Sequence, residues 1–152
     1  MLLKELVDKN RVCFHQGFDH WEDAIRAAAK PLLDDGSILS AYVDSIIENV
    51  HKFGPYIVLA PKIAMPHCQQ NAVGVVHTAV SFMKLEEPVH FEEGNPDKDA
   101  YLFFVLASEN PDLHMENMQS LATVLLNPEI VDELMEASNI DDLLKLDEKY
   151  SQ

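Results

Sequence analysis

The segment Tyr56–Cys68 reads Y-I-V-L-A-P-K-I-A-M-P-H-C and combines apolar β-forming residues, two prolines and a histidine. The run that begins at Tyr56 predicts a strand, and a glycine-proline turn precedes it. Pro61 ends this run because proline has no backbone N–H to donate to a neighbouring strand. Pro66 pushes the residue before it toward extended conformations, so the chain reaches His67 on a stiff, non-helical support. We therefore expect His67 to present a ring nitrogen at the surface, at the end of a buried strand.

The composition is that of a globular protein with a strong negative charge. A chain of 152 residues suits one domain, residues 1–152, which can bury roughly 70% of the surface of its unfolded chain. Its hydrophobic content is 47% and its charged content 24%, an ordinary globular balance. The net charge of −15 argues against binding to nucleic acid, whose phosphates would be repelled. It favours a basic protein partner, although an acidic surface that only maintains solubility would explain it equally well.

The cysteines and the apolar segments indicate a cellular compartment. The two cysteines, Cys13 and Cys68, are not spaced as metal ligands or as a disulfide framework. Free thiols are typical of a reducing cytosol. The N-terminus lacks the uninterrupted apolar core of a signal peptide, and no segment reaches the roughly 18 apolar residues that a membrane helix requires. We expect a cytoplasmic protein that does not insert into a membrane.

The rest of the chain predicts helices, then strands, then helices. Before the central segment, the pattern predicts a helix around Leu2–Val7, a strand at Arg11–Gln16, a helix at His20–Leu33 with Asp19 as its N-cap, and a helix opened by Ser40. After it, the pattern predicts strands at Val75–Leu85 and Ala100–Ala107, a polar loop at Glu92–Asp99 between them, and helices from Pro111 to the C-terminus. Strands followed by helical crossovers permit parallel pairing. The predicted fold is a three-layer α/β/α sandwich with a mixed β-sheet.

The string A-P-K-I-A-M-P-H, residues 60–67, resembles the active-site segment of the enzyme IIA domains of sugar phosphotransferase systems, mannitol/fructose type. In that family an apolar run leads to a Pro-His pair, and the histidine carries a phosphoryl group. The longer string Gly54–His67 is most similar to the ascorbate-specific branch. The resemblance implies the same α/β/α fold over nearly the whole chain. It also implies that His67 is the phosphorylated nucleophile.

A second histidine matches the other signature of this family. His114 lies in N-P-D-L-H-M-E-N-M-Q-S-L-A, residues Asn110–Ala122, which is similar to the family's histidine a few residues ahead of a leucine-rich helix. By this match, His114 would stabilise the phosphoryl group on His67. Without the resemblance, the two histidines would be interpreted as an exposed loop residue and an exposed helix-start residue.

The implied reaction requires little chemistry from the protein. A neutral imidazole is a nucleophile near neutral pH, since its ordinary pKa is about 6.5. Taking a phosphoryl group from another phosphohistidine exchanges one P–N bond for a similar one, so we expect no metal and no cofactor. The remaining requirement is donors aimed at the phosphoryl oxygens. His114 and the N–H groups where its helix begins are candidates, and Lys62 and Arg26 are weaker ones because surface cations are usually solvated.

Other constellations of reactive residues predict less. His67 and Cys68 are adjacent, and neighbouring side chains on an extended chain point to opposite faces, so they make a poor nucleophile–base pair. We expect Cys68 to be a packing residue. His77 and His90 lack metal-type spacing, and the H-E-x-x-H, G-x-S-x-G, Walker A and Rossmann glycine patterns are absent from the sequence.

Two positions depart from the family pattern. Many members have glycine directly after the active histidine, where this chain has Cys68, and cysteine also occurs there in galactitol-like members. Mannitol-type members carry an arginine at the end of the second helix, where this chain has Asn49. These differences argue against a mannitol or fructose substrate more than against the class.

The leading functional hypothesis is therefore an enzyme IIA phosphocarrier, of the ascorbate type. The resemblance implies that His67 accepts phosphate from phospho-HPr and passes it to a cysteine of the cognate enzyme IIB, which serves the membrane permease enzyme IIC. One alternative is a galactitol-type enzyme IIA. A second is a regulatory IIA-like protein that binds partners according to its phosphorylation state, and a third is a non-catalytic domain with an idle histidine. The sequence leaves open whether the protein forms a homodimer.

Overall fold

The computed structural model describes residues 2–68 and 73–150, without the side chains of residues 111 and 113. Its strands are β1 Val12–His15, β2 Val58–Ala60, β3 Lys62–Ala64, β4 Ala79–His90 and β5 Asp99–Ala107. Its α-helices are α1 Leu2–Asp8, α2 Trp21–Asp34, α3 Ser40–Phe53, α4 Pro111–Leu125, α5 Pro128–Glu136 and α6 Ile140–Tyr150. A short 3-10 helix, Pro96–Lys98, lies in the predicted polar loop.

The five strands form one mixed sheet in the order β1-β4-β5-β3-β2. Strand β1 pairs in parallel with β4, and β3 pairs in parallel with β5. The β4–β5 and β2–β3 pairs are antiparallel. Because β3 and β5 are parallel, their carboxyl ends lie at the same edge of the sheet. The segments that carry His67 and His114 both leave the sheet at this edge.

Helices cover both faces of the sheet. Helices α2 and α3 pack on one face, where their buried residues join sheet residues such as Met83 and Phe103 in one cluster. The other face packs against α1, α4, α5 and α6 through a second cluster that contains Phe82 and Phe104. Strand β5 is almost fully buried from Leu102 onward, as expected for a strand covered on both faces. The predicted α/β/α sandwich with a mixed sheet is confirmed.

The helix periodicity was sufficient to predict which faces are buried, but not how α2 begins. The predicted α2 positions Ala24, Ile25, Ala28 and Leu32 are fully buried. The prediction that Asp19 caps α2 is wrong, since His20 occupies the N-cap position and, within the described part of the chain, gives no side-chain capping bond. Helix α2 begins at Trp21, one residue later than predicted, and the Trp21 ring stacks against Phe91 with ring centroids 5.6 Å apart.

Two strand boundaries also differ from the prediction. Tyr56 and Ile57 form a turn after α3 instead of a strand, and β2 begins only at Val58. The turn is closed by a hydrogen bond in which the Val58 N–H donates to the Pro55 carbonyl at 3.2 Å. Strand β4 begins at Ala79, four residues later than predicted, and continues to His90.

The segment before β4 packs on the start of α3 and not in the sheet. Val75 makes an isolated antiparallel bridge with Ile38, and the Leu39 N–H donates to the Gly74 carbonyl at 2.8 Å. Gly74 has φ +83°, and a Cβ there would lie 2.8 Å from the Tyr42 nitrogen. The close approach and the positive φ both require glycine.

Within residues 2–68 and 73–150, the helices are all too short or too polar to cross a membrane.

Candidate functional site

The backbone around His67 lies outside the strands but is held by hydrogen bonds to three neighbours. The Met65 N–H donates to the Ile57 carbonyl at 2.8 Å, and the Pro66 carbonyl accepts from the Leu106 N–H at 3.0 Å. The Tyr56 hydroxyl donates to the His67 carbonyl. Pro66 removes a donor and fixes its own φ, so the segment stays extended at the end of β3. His67 is therefore presented on a fixed support, at the edge of the sheet where β3 ends.

One ring nitrogen of His67 is already committed to the protein. Its Nδ1 lies 2.6 Å from the Met65 carbonyl oxygen. A carbonyl only accepts, so Nδ1 must carry the proton, and the neutral ring then has its lone pair on Nε2. The residue that holds the tautomer is thus two positions before the histidine. Nε2 is the nitrogen that this arrangement makes nucleophilic.

The environment of His67 keeps its ring neutral. Burial lowers the pKa of His67, because desolvation disfavours the charged imidazolium. The nearby His114 lowers this pKa further, while the hydrogen bond to Met65 opposes the shift. The ring is therefore in its nucleophilic form at neutral pH.

His114 lies beside His67, as the resemblance implied. It sits in the first turn of α4, and the centroids of the two imidazoles are 6.0 Å apart with their planes inclined by 44°. The backbone N–H of His114 donates to the Asn110 carbonyl at 3.1 Å. That N–H is therefore committed within the helix start, and the imidazole is the group that His114 can direct at a ligand.

The loop that leads to α4 is tied to the strand beside it. The Glu109 N–H donates to the Thr78 hydroxyl at 3.0 Å, and the Thr78 N–H donates to the Glu109 carboxylate at 3.3 Å. Ser108 adds a hydroxyl bond to the Asn110 carbonyl at 2.5 Å. The two bonds between Thr78 and Glu109 join the residue before β4 to the loop after β5, and all three bonds help to fix where α4, with His114, begins.

Cys68 packs and is poorly suited to be a nucleophile. It is partly buried against the core cluster under α2 and α3, and its Sγ lies 4.0 Å from the Tyr42 carbonyl oxygen. Burial raises the pKa of the Cys68 thiol to about 12. The thiol is therefore protonated at neutral pH, and protonated thiols are weak nucleophiles. These observations agree with the predicted packing role.

The weaker phosphate-binding candidates occupy other places. Lys62 is exposed at the first position of β3, five residues before His67, and an extended chain covers about 16 Å in five residues. Arg26 is exposed on α2, with its guanidinium 3.9 Å from Asp23. His77 is exposed, and His90 is paired with Asp99 at 2.7 Å. The structure thus brings His67 and His114 together and gives no contact between these other residues and His67.

Sequence reasoning missed two groups at this site. The Met65 carbonyl sets the tautomer of His67, and the Tyr56 hydroxyl holds its backbone. A carbonyl has no sequence signal, since every residue carries one. Tyr56 gave only the signal of a β-forming aromatic residue, because the partner of its hydroxyl depends on the fold.

Comparison with known proteins shows the class. The chain is similar to IIA components of sugar phosphotransferase systems along most of its length. It matches the sequence model described as "Phosphoenolpyruvate-dependent sugar phosphotransferase system, EIIA 2" over residues 5–149, and it belongs to this family. The predicted family and fold are confirmed, and a phosphotransfer role is supported at the level of the class.

Individual relatives differ in the substrate given in their names. The ascorbate-specific EIIA component of Mycoplasma pneumoniae is 30% identical over 132 residues, which are 86% of this chain and 81% of the relative. The solved structure of the mannitol-specific cryptic enzyme IIA of Escherichia coli is 31% identical, covers 96% of this chain and 97% of its own, and has a TM-score of 0.81. The structure of E. coli mannitol enzyme IIA in complex with phosphorylated enzyme IIB is 26% identical, with coverages of 90% and 92% and a TM-score of 0.76.

Proposed function

We propose that this protein is a phosphocarrier that holds a phosphoryl group on Nε2 of His67. In this proposal residues 1–152 act as one IIA-type domain in the cytoplasm, between phospho-HPr as donor and a cysteine of enzyme IIB as acceptor. The observation that carries the proposal is the geometry of one histidine pair. Nδ1 of His67 lies 2.6 Å from the Met65 carbonyl oxygen, to which it donates, and the centroid of the His114 ring lies 6.0 Å from that of the His67 ring.

The first half-reaction loads the histidine. The Nε2 lone pair attacks the phosphorus of the donor phosphohistidine, and the donor P–N bond breaks with its electron pair returning to the donor ring. The new P–Nε2 bond leaves positive charge spread over the His67 ring and the Nδ1 proton. The Met65 carbonyl faces that proton and stabilises the charge as it forms.

The second half-reaction unloads it. A thiolate of enzyme IIB attacks phosphorus, and the P–Nε2 bond breaks with its electron pair returning to Nε2. The phosphoryl group carries about two negative charges, and in this proposal the His114 imidazole, whose ring lies 6.0 Å from that of His67, donates to its oxygens. The returning electron pair makes the His67 ring neutral again, and because burial lowers its pKa, the ring stays unprotonated and can react again.

The acidic surface fits a basic donor protein. The net charge of −15 favours association with partners of opposite charge, because complementary fields steer their encounter. Enzyme IIB as acceptor is supported by the E. coli relative that was solved as a complex with phosphorylated enzyme IIB. Enzyme IIC would take part only indirectly, through enzyme IIB.

We propose L-ascorbate as the substrate of the system. The string Gly54–His67 and the M. pneumoniae relative, named as ascorbate-specific, support this choice, while the E. coli relative named as mannitol-specific is equally similar in identity. Transfer from the phosphorylated protein to purified enzyme IIB proteins of the ascorbate, galactitol and mannitol types tests it. Fastest transfer to an enzyme IIB of another type would overturn the substrate, and transfer to none would favour a regulatory protein.

The phosphocarrier role is tested by labelling. Labelled phosphoenolpyruvate, enzyme I and HPr should place an acid-labile phosphoryl group on the protein, and His67→Gln should abolish it. His77→Gln is the matched control, because it makes the same substitution at an exposed histidine that precedes β4. Undiminished label in His67→Gln, or label on an acid-stable residue, would contradict the proposal.

A further inference from the structure

Tyr56 contacts His67 in two independent ways. Its hydroxyl donates to the His67 backbone carbonyl, and its ring packs edge-to-face with the imidazole at a centroid separation of 5.3 Å and an angle of 87°. Tyr56 itself is set by the turn after α3, where its N–H donates to the Gly54 carbonyl at 2.8 Å. One side chain therefore constrains both the backbone and the ring of His67.

The contact between Tyr56 and His67 lies just beyond the end of the β-sheet. The ladder of the sheet ends at Ala64, and the two residues after it are bonded to Ile57 and Leu106 through their backbone. The bond from Tyr56 continues this series to His67. The imidazole is then flanked by two rings, with Tyr56 at 5.3 Å and His114 at 6.0 Å.

We propose that Tyr56 is a positioning residue for phosphoryl transfer at His67. It acts through His67 and not on the phosphoryl group: the hydroxyl fixes the backbone, and the ring limits rotation of the imidazole, so that Nε2 keeps one direction. Precise placement of the attacking atom is a large part of catalysis in such a transfer, since the protein contributes little other chemistry. This inference rests on the proposed function.

A second tyrosine provides a comparison. The Tyr42 hydroxyl donates to the Leu106 carbonyl at 2.5 Å, and the Leu106 N–H donates in turn to the Pro66 carbonyl at 3.0 Å. Tyr42 therefore braces the end of β5 and reaches the His67 segment only through that strand. Its hydroxyl is buried with its carbonyl partner, so its loss should affect the stability of the fold more than the direction of Nε2.

The test separates the hydroxyl of Tyr56 from its ring. Tyr56→Phe removes only the hydroxyl, and Tyr56→Leu removes the ring as well. Because a hydrogen bond between two uncharged groups changes an equilibrium or rate by at most about tenfold, Tyr56→Phe should lower the maximal rate of phosphorylation by phospho-HPr about three- to tenfold. The KM for phospho-HPr should stay within about twofold, since placement and not binding is lost. Tyr56→Leu should lower the rate further.

Tyr150→Phe is the matched control. It removes the hydroxyl of the last residue of α6, which lies 3.5 Å from the Glu129 carboxylate of α5. Because this hydroxyl does not bond to His67, the phosphorylation rate should not change. A rise in KM with an unchanged maximal rate in Tyr56→Phe would overturn the proposal, because it would indicate that Tyr56 contacts the partner. Equal rates in all three variants would also overturn it.

Nitrogen-15 NMR of the imidazole gives a readout that does not need the reaction. In the unmutated protein one tautomer, with the proton on Nδ1, should dominate. In Tyr56→Leu the pKa of His67 should rise toward its ordinary value as burial is lost, and the tautomers should mix. An unchanged tautomer and pKa in Tyr56→Leu would refute the positioning role, whereas a failure to label His67 in the unmutated protein would refute the proposed function and leave this NMR result standing.

Discussion

Replacing His114 by alanine should slow the release of the phosphoryl group much more than it slows the binding of partners. His114 has its ring 6.0 Å from the ring of His67, and its backbone N–H is already bonded to Asn110. The substitution therefore removes only the imidazole from the site. We expect His114→Ala to become phosphorylated on His67 more slowly, and to transfer to enzyme IIB much more slowly.

The size of the effect follows from the one hydrogen bond that the His114 ring, 6.0 Å from the His67 ring, can donate to a phosphoryl oxygen. A neutral imidazole that donates one hydrogen bond to a charged oxygen contributes about 1.5–3 kcal/mol. Only the part of this energy that is larger in the transition state accelerates transfer. A loss of about 3 kcal/mol corresponds to roughly a hundredfold in rate, within the range found for single charge-directed donors.

Rapid-quench measurement of both half-reactions is the appropriate assay. Met115→Ala is the control, because Met115 is the next residue of α4 and its side chain is 60% exposed, so both rates should stay near those of the unmutated protein if the helix start is intact. If His114→Ala ran both half-reactions at the rates of the unmutated protein, His114 would have no role in phosphoryl transfer. The phosphoryl oxygens would then have to be held by other groups.

Three further outcomes follow from the same structure. Because burial lowers the pKa of His67, its phosphorylation rate should stay level as the pH falls through about 6.5, the ordinary pKa of histidine, and decline only below the lowered value. Between the ordinary and the lowered pKa, His67 is protonated in the unfolded chain but not in the folded protein. The free energy of unfolding should therefore decrease as the pH falls through this range, and urea titrations of His67→Gln should lack that decrease. Cys68→Ser should accept phosphate at a comparable rate, and Cys68 should react slowly with iodoacetamide at pH 8 because its pKa is raised to about 12; acceptance as poor as in His67→Gln would mean that Cys68 is reactive. Gly74→Ala should lower the free energy of unfolding by about 2–3 kcal/mol, and Gly94→Ala by about 1 kcal/mol. Both glycines have positive φ, but of the two only Gly74 would bring the added Cβ against backbone, 2.8 Å from the Tyr42 nitrogen. Equal losses for the two variants in urea titrations would refute the steric argument.

Local rules in the sequence were sufficient to predict most helices and strands, and they also gave the prediction that His67 is the functional histidine. The periodicity of α2 and α3 predicted their buried faces, and the apolar run in β5 predicted a strand covered on both sides. Pro66 predicted an extended support for His67, because the restriction that proline imposes acts on adjacent residues. The Pro-His string also indicated the family, which the match over residues 5–149 confirms. The start of α2 and the limits of β2 and β4 were predicted incorrectly where packing or turn bonds outweighed local preference.

The tertiary structure decided how the parts of the site meet. Parallel pairing of β3 with β5 brings the segments of His67 and His114 to one edge of the sheet, and pairing is set by contacts between distant parts of the chain. The choice of Nε2 over Nδ1 depends on a backbone carbonyl that no residue type signals. The role of Tyr56 depends on an aromatic hydroxyl that meets a carbonyl eleven residues later in the chain. The sequence by itself therefore determined the family and predicted His67, because both depend on neighbouring residues. Only the fold determined which ring nitrogen of His67 is free and which groups surround the ring, because those depend on hydrogen bonds across the chain.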